Sequence, residues 1–225
     1  MLLIAADTSG KHGSIALASV SDNGTCTVIE TVTLDGGAFS SQLVPQIAAL
    51  LLKNGFDRKD IGGFAAVAGP GSFTGLRVGL AAIKALGEAL QKPIAAVSML
   101  EAIAVAGGFP GKSMAALDAG RQQVYVGEYD IVSDGTRRIE ECLLTRDEFL
   151  NGAAGANVVT SDSEMAALAR SSAAAVRIIA APRADSIAQL GWKKILSGET
   201  MTSAALEANY IGHADAEIFS RSRSR

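Results

Sequence analysis

The run Gly69-Pro-Gly-Ser-Phe-Thr-Gly-Leu-Arg-Val-Gly79 limits the possible folds more than any other stretch of this chain. Before it stands Ile61-Gly-Gly-Phe-Ala-Ala-Val-Ala68, short and apolar, which reads as a buried strand. After it, Leu76 to Gln91 holds no proline before Pro93 and reads as a helix. The glycines therefore sit at a strand-to-helix turn, where they permit positive φ and close backbone approach, while Pro70 fixes its own φ. Ser72 or Thr74 suits the helix N-cap. A Walker A loop is excluded because Gly75 is followed by Leu76-Arg77, and the dinucleotide fingerprint fails at Thr74. Two readings remain for the turn. It packs a helix tightly on a neighbouring backbone, or it offers an anion the unpaired N–H groups of a helix start.

The helix itself is unusual. Leu76, Leu80, Ile83, Leu86 and Leu90 share it with Gly75, Gly79, Ala82 and Gly87, and only Arg77, Lys84, Glu88 and Gln91 are polar. Such a helix is buried nearly all round, inside its own fold or against a partner. An interior glycine costs a helix about 1 kcal/mol against alanine, so Gly79 and Gly87 point to close approach of another backbone. Composition agrees. Charged residues make up 19% and hydrophobic ones 48%, so the chain is expected to hide surface against another subunit. A net charge of −3 argues against a dedicated nucleic-acid binder. At 225 residues the chain fits one large domain or two small lobes.

Earlier, Leu2 to Ala6 reads as a central strand stopped by Asp7-Thr-Ser-Gly-Lys-His-Gly13. Ser14 to Ala18 reads as a second strand, and Thr25 to Leu34 as a third after the Asp22-Asn-Gly24 turn. Ser40 and Ser41 open a helix that carries Leu43, Val44, Ile47, Leu50 and Leu51 and closes at Asn54-Gly55. Later come strands at 93–97, 113–117, 123–129, 157–160 and 176–180. Capping boxes are expected at Ser98 with Glu101, Thr145 with Glu148, and Ser161 with Glu164, and a last helix over 185–196. One pattern recurs: strand, Asp7, small-residue turn, strand, and again strand, Asp118, small-residue turn, strand. Duplication would give two lobes with an aspartate each; coincidence is the plainer alternative.

Several chemistries are poorly supported. The only histidines are His12 and His213, and Cys26 and Cys142 stand alone, so a transition-metal site is not expected. No Gly-x-Ser-x-Gly elbow is present. Asp7 and Asp118 have the chemistry to hold Mg²⁺ through water, or simply to bond turn amides. The first residues lack a basic start and no apolar run approaches a membrane span, so a soluble, cytoplasmic protein with no membrane partner is expected. The end, Ser220-Arg-Ser-Arg-Ser-Arg225, reads as a disordered basic tail.

Four blocks together resemble the bacterial TsaB (YeaZ) family: Ile4-Ala-Ala-Asp-Thr-Ser9, Ser41-x-x-Leu-Val-Pro45-x-Ile47, Gly69 to Gly79, and Ala116-Leu-Asp-Ala-Gly-Arg121-x-x-Val-Tyr125. The likeness is strong to about residue 130 and thin beyond. Glu207-Ala-Asn-Tyr-Ile-Gly212 resembles a degenerate form of the family's C-terminal motif, with Ala208 for Pro and Gly212 for Arg, and Phe39 stands where a His is common. The resemblance implies an α/β, actin-like (ribonuclease H-like) two-lobe fold of mixed sheets flanked by helices. The expected divisions are a lobe at 1–107, a reduced lobe at 108–215 and a tail at 216–225.

It further implies a non-catalytic subunit in the formation of threonylcarbamoyl-adenosine at position 37 of tRNA. The partners are a TsaD-like paralogue and a TsaE-like ATPase, with a homodimer when the paralogue is absent and tRNA reached only through the complex. No cofactor of its own is expected; ATP and Mg²⁺ belong to the complex. Leu43, Ile47, Leu50, Leu51, Leu76, Leu80 and Ile83 are expected to anchor the partner or dimer interface. Asp7, Thr8, Ser9, Gly71, Ser72 and Asp118 are the candidate nucleotide or phosphate contacts of the rival reading, a stand-alone actin-like ATPase. A peptidase reading fares worst.

Overall fold

The computed structural model describes residues 1–21, 24–133 and 135–211. They form two compact units, one of Met1–Ala102 with Ala181–Ala208, the other of Ile103–Ala180 with residues 209–211. The turn residues Asp22 and Asn23, the motif residue Gly212, His213 and the expected tail at 216–225 lie outside the described residues.

The first sheet contains β1 (Leu2–Asp7), β2 (Gly13–Val20), β3 (Cys26–Leu34), β4 (Ile61–Gly69) and β5 (Ile94–Ser98), in the order β3-β2-β1-β4-β5. β2 pairs antiparallel with both β1 and β3, whereas β4 lies parallel to β1 and β5 parallel to β4. Parallel neighbours need a crossover, and the two long helices supply it. These are α1 (Phe39–Lys53), which leads into β4, and α2 (Phe73–Leu90), which leads into β5; α3 (Met99–Gly107) follows. All of β1 is buried, as expected for a strand at the centre of a sheet with helices on both faces.

The helix α6 (Ala184–Leu196) touches all five strands of this sheet, although it lies far along the chain. A Cβ at Gly191 would lie 2.3 Å from the Ala65 Cβ, so only glycine lets α6 come this close. The chain then passes the edge of the sheet, where the Met201 N–H donates to the Ile94 carbonyl at 2.8 Å. Leu206 joins the core that also holds Leu43, Leu80 and Ile83. Residues 181–208 thus return to the first unit, where the sequence reading assigns them to a second lobe over 108–215.

The second unit repeats the scheme. Its strands are β6 (Gly111–Gly120), β7 (Gln123–Val132), β8 (Gly135–Thr145), β9 (Asn157–Thr160) and β10 (Ala175–Ile178), with α4 (Arg146–Ala153) before β9 and α5 (Ser163–Arg170) before β10. The order β10-β9-β6-β7-β8 is the first sheet's order read from the other end. Here too the first three strands are antiparallel and the last two parallel. Asp7 ends β1 and Asp118 lies near the end of β6, so the recurring Asp-bearing hairpin sits at matching places in two like-wound sheets. The chain has the actin-like, ribonuclease H-like α/β architecture.

Local signals were met unevenly. Thr145 and Glu148 form the expected capping box at α4. At α5 the cap is Asp162, whose carboxylate accepts from the Glu164 and Met165 N–H groups, and not Ser161. At α1 the N-cap is Ala38, with no side-chain bond, while the Ser41 hydroxyl donates back to the Ala38 carbonyl at 3.0 Å.

Candidate docking site

The glycine block is explained by packing. A Cβ at Gly75 would lie 2.0 Å from the Thr8 carbonyl oxygen, and one at Gly79 would lie 2.1 Å from the Thr8 hydroxyl. One at Gly71 would meet Ser9 at 2.6 Å. With those side chains absent, the Thr8 hydroxyl donates to the Gly75 carbonyl at 2.8 Å, and the Ser72 N–H donates to the Ser9 carbonyl at 2.7 Å. Ser72 is the N-cap of α2, accepting from the Gly75 N–H at 3.3 Å. The start of α2 is stitched to the turn between β1 and β2.

That stitching engages most of the candidate phosphate contacts. Asp7, Thr8 and Ser9 are buried, and Asp7 Oδ1 accepts from the Ser9 N–H at 2.8 Å and from the Ser9 hydroxyl at 2.6 Å. Burial pushes the Asp7 carboxyl above its ordinary value, while the two bonds from Ser9 pull it down. Gly71 and Ser72 remain exposed. A cavity of about 580 Å³ beside them is lined by Lys11, His12, Phe39, Ser40, Ser72 and Thr74. In the second unit Asp118 is well exposed, with the Arg146 guanidinium 4.0 Å away. Among the described residues no cluster of three His, Cys, Asp or Glu side chains has the spacing to hold a metal ion.

The expected interface anchors need correction. Leu43, Ile47, Leu50, Leu51, Leu76, Leu80 and Ile83 are all buried beneath the chain's own sheet, none more than 6% exposed. These seven recur at helical spacing on one side of each helix, the side turned toward the strands. They belong to the core of the first unit.

What faces outward is a different set. On α1, Val44 is 45% exposed and Leu52 80%, and on α2 Phe73 is 45% exposed. Pro45, Ala48, Ala49, Ala81, Ala85 and Ala89 are exposed with them, interrupted by Ser41, Gln46, Lys53, Arg77 and Glu88. The Arg77 guanidinium carbon lies 3.7 Å from the centroid of the Phe73 ring. The duplication supplies a control. Helices α4 and α5 make the same crossovers in the second sheet, and they present Asp147, Glu148, Asn151, Glu164 and Arg170 to solvent. Covering a sheet in this fold does not require an apolar outer face. Only the first unit's crossover helices carry Val, Leu and Phe there. The sequence signal was present, since α2 lacks a polar face, but it does not separate the inner from the outer apolar residues.

Comparison with known proteins agrees with this architecture. The sequence model of the family described as TsaD, tRNA N6-adenosine threonylcarbamoyltransferase, matches residues 36–218. The chain belongs to this family, on its TsaB (YeaZ) side. A TsaB chain named as a tRNA threonylcarbamoyladenosine biosynthesis protein, from Bacillus subtilis, is 35% identical over 57% of this chain and 55% of its own length. An uncharacterized protein of Mycobacterium bovis is 36% identical over 49% of this chain and 50% of its own length. The chain spans about half the length of these curated relatives. The solved structure of YeaZ from Pseudomonas aeruginosa superposes with a TM-score of 0.73 at 24% identity, covering 93% of this chain and 99% of that one, a likeness of fold. Among the described residues of this TsaB-type chain, no helix is long and apolar enough to cross a membrane.

Proposed function

We propose that the chain is a non-catalytic subunit that binds and supports a TsaD-like threonylcarbamoyltransferase as it forms threonylcarbamoyl-adenosine at position 37 of tRNAs reading codons that begin with adenine. The tRNA part of this reading rests on family membership. The docking part is carried by one observation: α1 and α2 expose Val44, Leu52 and Phe73, where the matching helices α4 and α5 expose no large apolar side chain. Two helices from this chain and two from a like-folded partner would close into a four-helix bundle over that surface. A TsaE-like ATPase is the third member, ATP and Mg²⁺ act at the level of the complex, and tRNA meets this chain only through it. Without the paralogue, a second copy takes the same face. The setting is the cytoplasm, and no peptidase activity is expected.

The test is the solution mass of the purified chain, with and without the TsaD-like paralogue. The wild type should form a complex of defined mass. Val44→Asp and Leu52→Asp, whose positions are exposed, should keep the circular dichroism of the wild type and lose the complex. Full-strength binding by both variants overturns the docking face.

A further inference from the structure

We infer that the strap formed by residues 199–206 is a working part of this docking surface, with Met201 as a contact for the same apolar helical partner. The inference rests on the docking reading above and extends it to a segment more than a hundred residues from either helix.

The strap leaves α6 on one face of the first sheet and ends on the other. Its Met201 N–H caps the open edge of β5 at the Ile94 carbonyl, and its Leu206 is only 1% exposed in the core that α1 and α2 cover. Between these two anchors the Ser203 hydroxyl bonds the Glu88 carboxylate on the last turn of α2. Glu88 is the only acidic residue on α1 or α2, and the bond engages its carboxylate. That last turn is fixed from its own side as well: the Gln91 amide donates to the Glu88 carbonyl at 2.7 Å and the Lys92 N–H to the Gly87 carbonyl at 3.0 Å. Two fixed elements, α2 and the strap, thus meet along a seam that continues the exposed line of Ala81, Ala85 and Ala89.

At the seam is a depression of about 400 Å³, walled by Gly87 and Glu88 of α2, by Gln91, Lys92 and Pro93 just after it, and by Thr200 to Ser203 of the strap. Met201 lies in that wall with 43% of its surface exposed. A flexible thioether at the end of an apolar helix face suits a protein surface that must pack against another one. The occupant is therefore the helical partner that covers Val44, Leu52 and Phe73, reaching past the end of α2 onto the strap.

Affinity for the TsaD-like paralogue is measured by calorimetry for the full chain and for Met201→Asp, Ser203→Ala and Leu52→Asp. Ile178→Asp, on an exposed apolar position of the second unit, is the control. Met201→Asp should weaken binding at least ten-fold and Ser203→Ala measurably, with Ile178→Asp unchanged. If Leu52→Asp abolishes binding while Met201→Asp stays within two-fold of wild type, the strap has no part in docking, and the inference falls with the docking face intact. If none of these variants weakens binding, the docking reading itself falls. Should Met201→Asp lower the melting midpoint, Met201→Gln, which keeps the stem length, is read in its place on the same terms.

Discussion

The hydroxyl of Thr8 occupies the space that a side chain at Gly79 would need, 2.1 Å from the point where its Cβ would stand. Alanine is the better helix former by about 1 kcal/mol, yet forcing a methyl into packed surroundings costs about 1–3 kcal/mol, and here it also presses on a hydroxyl bonded to the Gly75 carbonyl. Gly79→Ala is therefore expected to destabilise. Placed in a Thr8→Ala background, the same change should become neutral or stabilising, because the obstructing hydroxyl is gone. At Gly75 the obstruction is the Thr8 backbone oxygen, so Gly75→Ala should gain nothing from Thr8→Ala. Urea unfolding of the two double-mutant cycles distinguishes these outcomes.

Asp7 makes a prediction about pH. Burial raises its folded-state pKa above the ordinary 3.8, against the pull of the Ser9 bonds. Between the ordinary and the raised value the native state holds a proton that the unfolded chain has released, so stability falls as pH rises through that window and stays lower above it. Asp7→Asn keeps an oxygen to accept from Ser9 and has no charge to desolvate. Its melting midpoint should exceed that of the wild type at pH 7.5, and the gap should narrow as the pH is lowered toward 4. A variant less stable than wild type at neutral pH contradicts this account.

Much of this arrangement was legible in the residues. The block from Gly69 to Gly79 pointed to close backbone approach, and Gly75 and Gly79 pack on Thr8. The repeated strand–Asp–turn pattern corresponds to two sheets of one winding. What stayed hidden was long-range. Nothing local in 184–196 says which sheet an amphipathic helix will cover, and α6 returns to the first because that sheet has a second apolar face to bury. The inner and outer sides of α1 and α2 were confused for a related reason. When a helix is apolar on most of its circumference, periodicity marks no boundary between core and surface, and the sequence sets the buried Leu43 and the exposed Val44 on one face.

The helix caps offer a graded test of how local signals translate. The Thr145 hydroxyl accepts from the Glu148 N–H, and the Asp162 carboxylate from the Glu164 and Met165 N–H groups. Thr145→Ala and Asp162→Ala should each cost about 1 kcal/mol. Ser161 has the spacing of a capping box in the sequence but is not the cap of α5, so Ser161→Ala should stay within about 0.5 kcal/mol of wild type. Equal losses at 161 and 162, read from chemical denaturation, would show that the cap is shared.

Leu50 and Leu52, two residues apart on α1, should give opposite results. Leu50 is 2% exposed in the first core and Leu52 is 80% exposed. Truncating a buried leucine to alanine removes its burial and leaves a cavity, a loss of about 2–5 kcal/mol, whereas an exposed one changes stability by about 0.5 kcal/mol or less. Leu50→Ala should therefore lower the melting midpoint by several degrees, yet those molecules that remain folded should bind the paralogue with nearly wild-type affinity at low temperature. Leu52→Ala should melt like the wild type and bind more weakly. Stability and affinity thus separate on neighbouring positions if the surface used for docking is the outer face of α1. Loss of affinity at Leu50 with none at Leu52, in protein shown to be folded, would mean that the helix turns its inner face to the partner and that α1 must leave the sheet to do so.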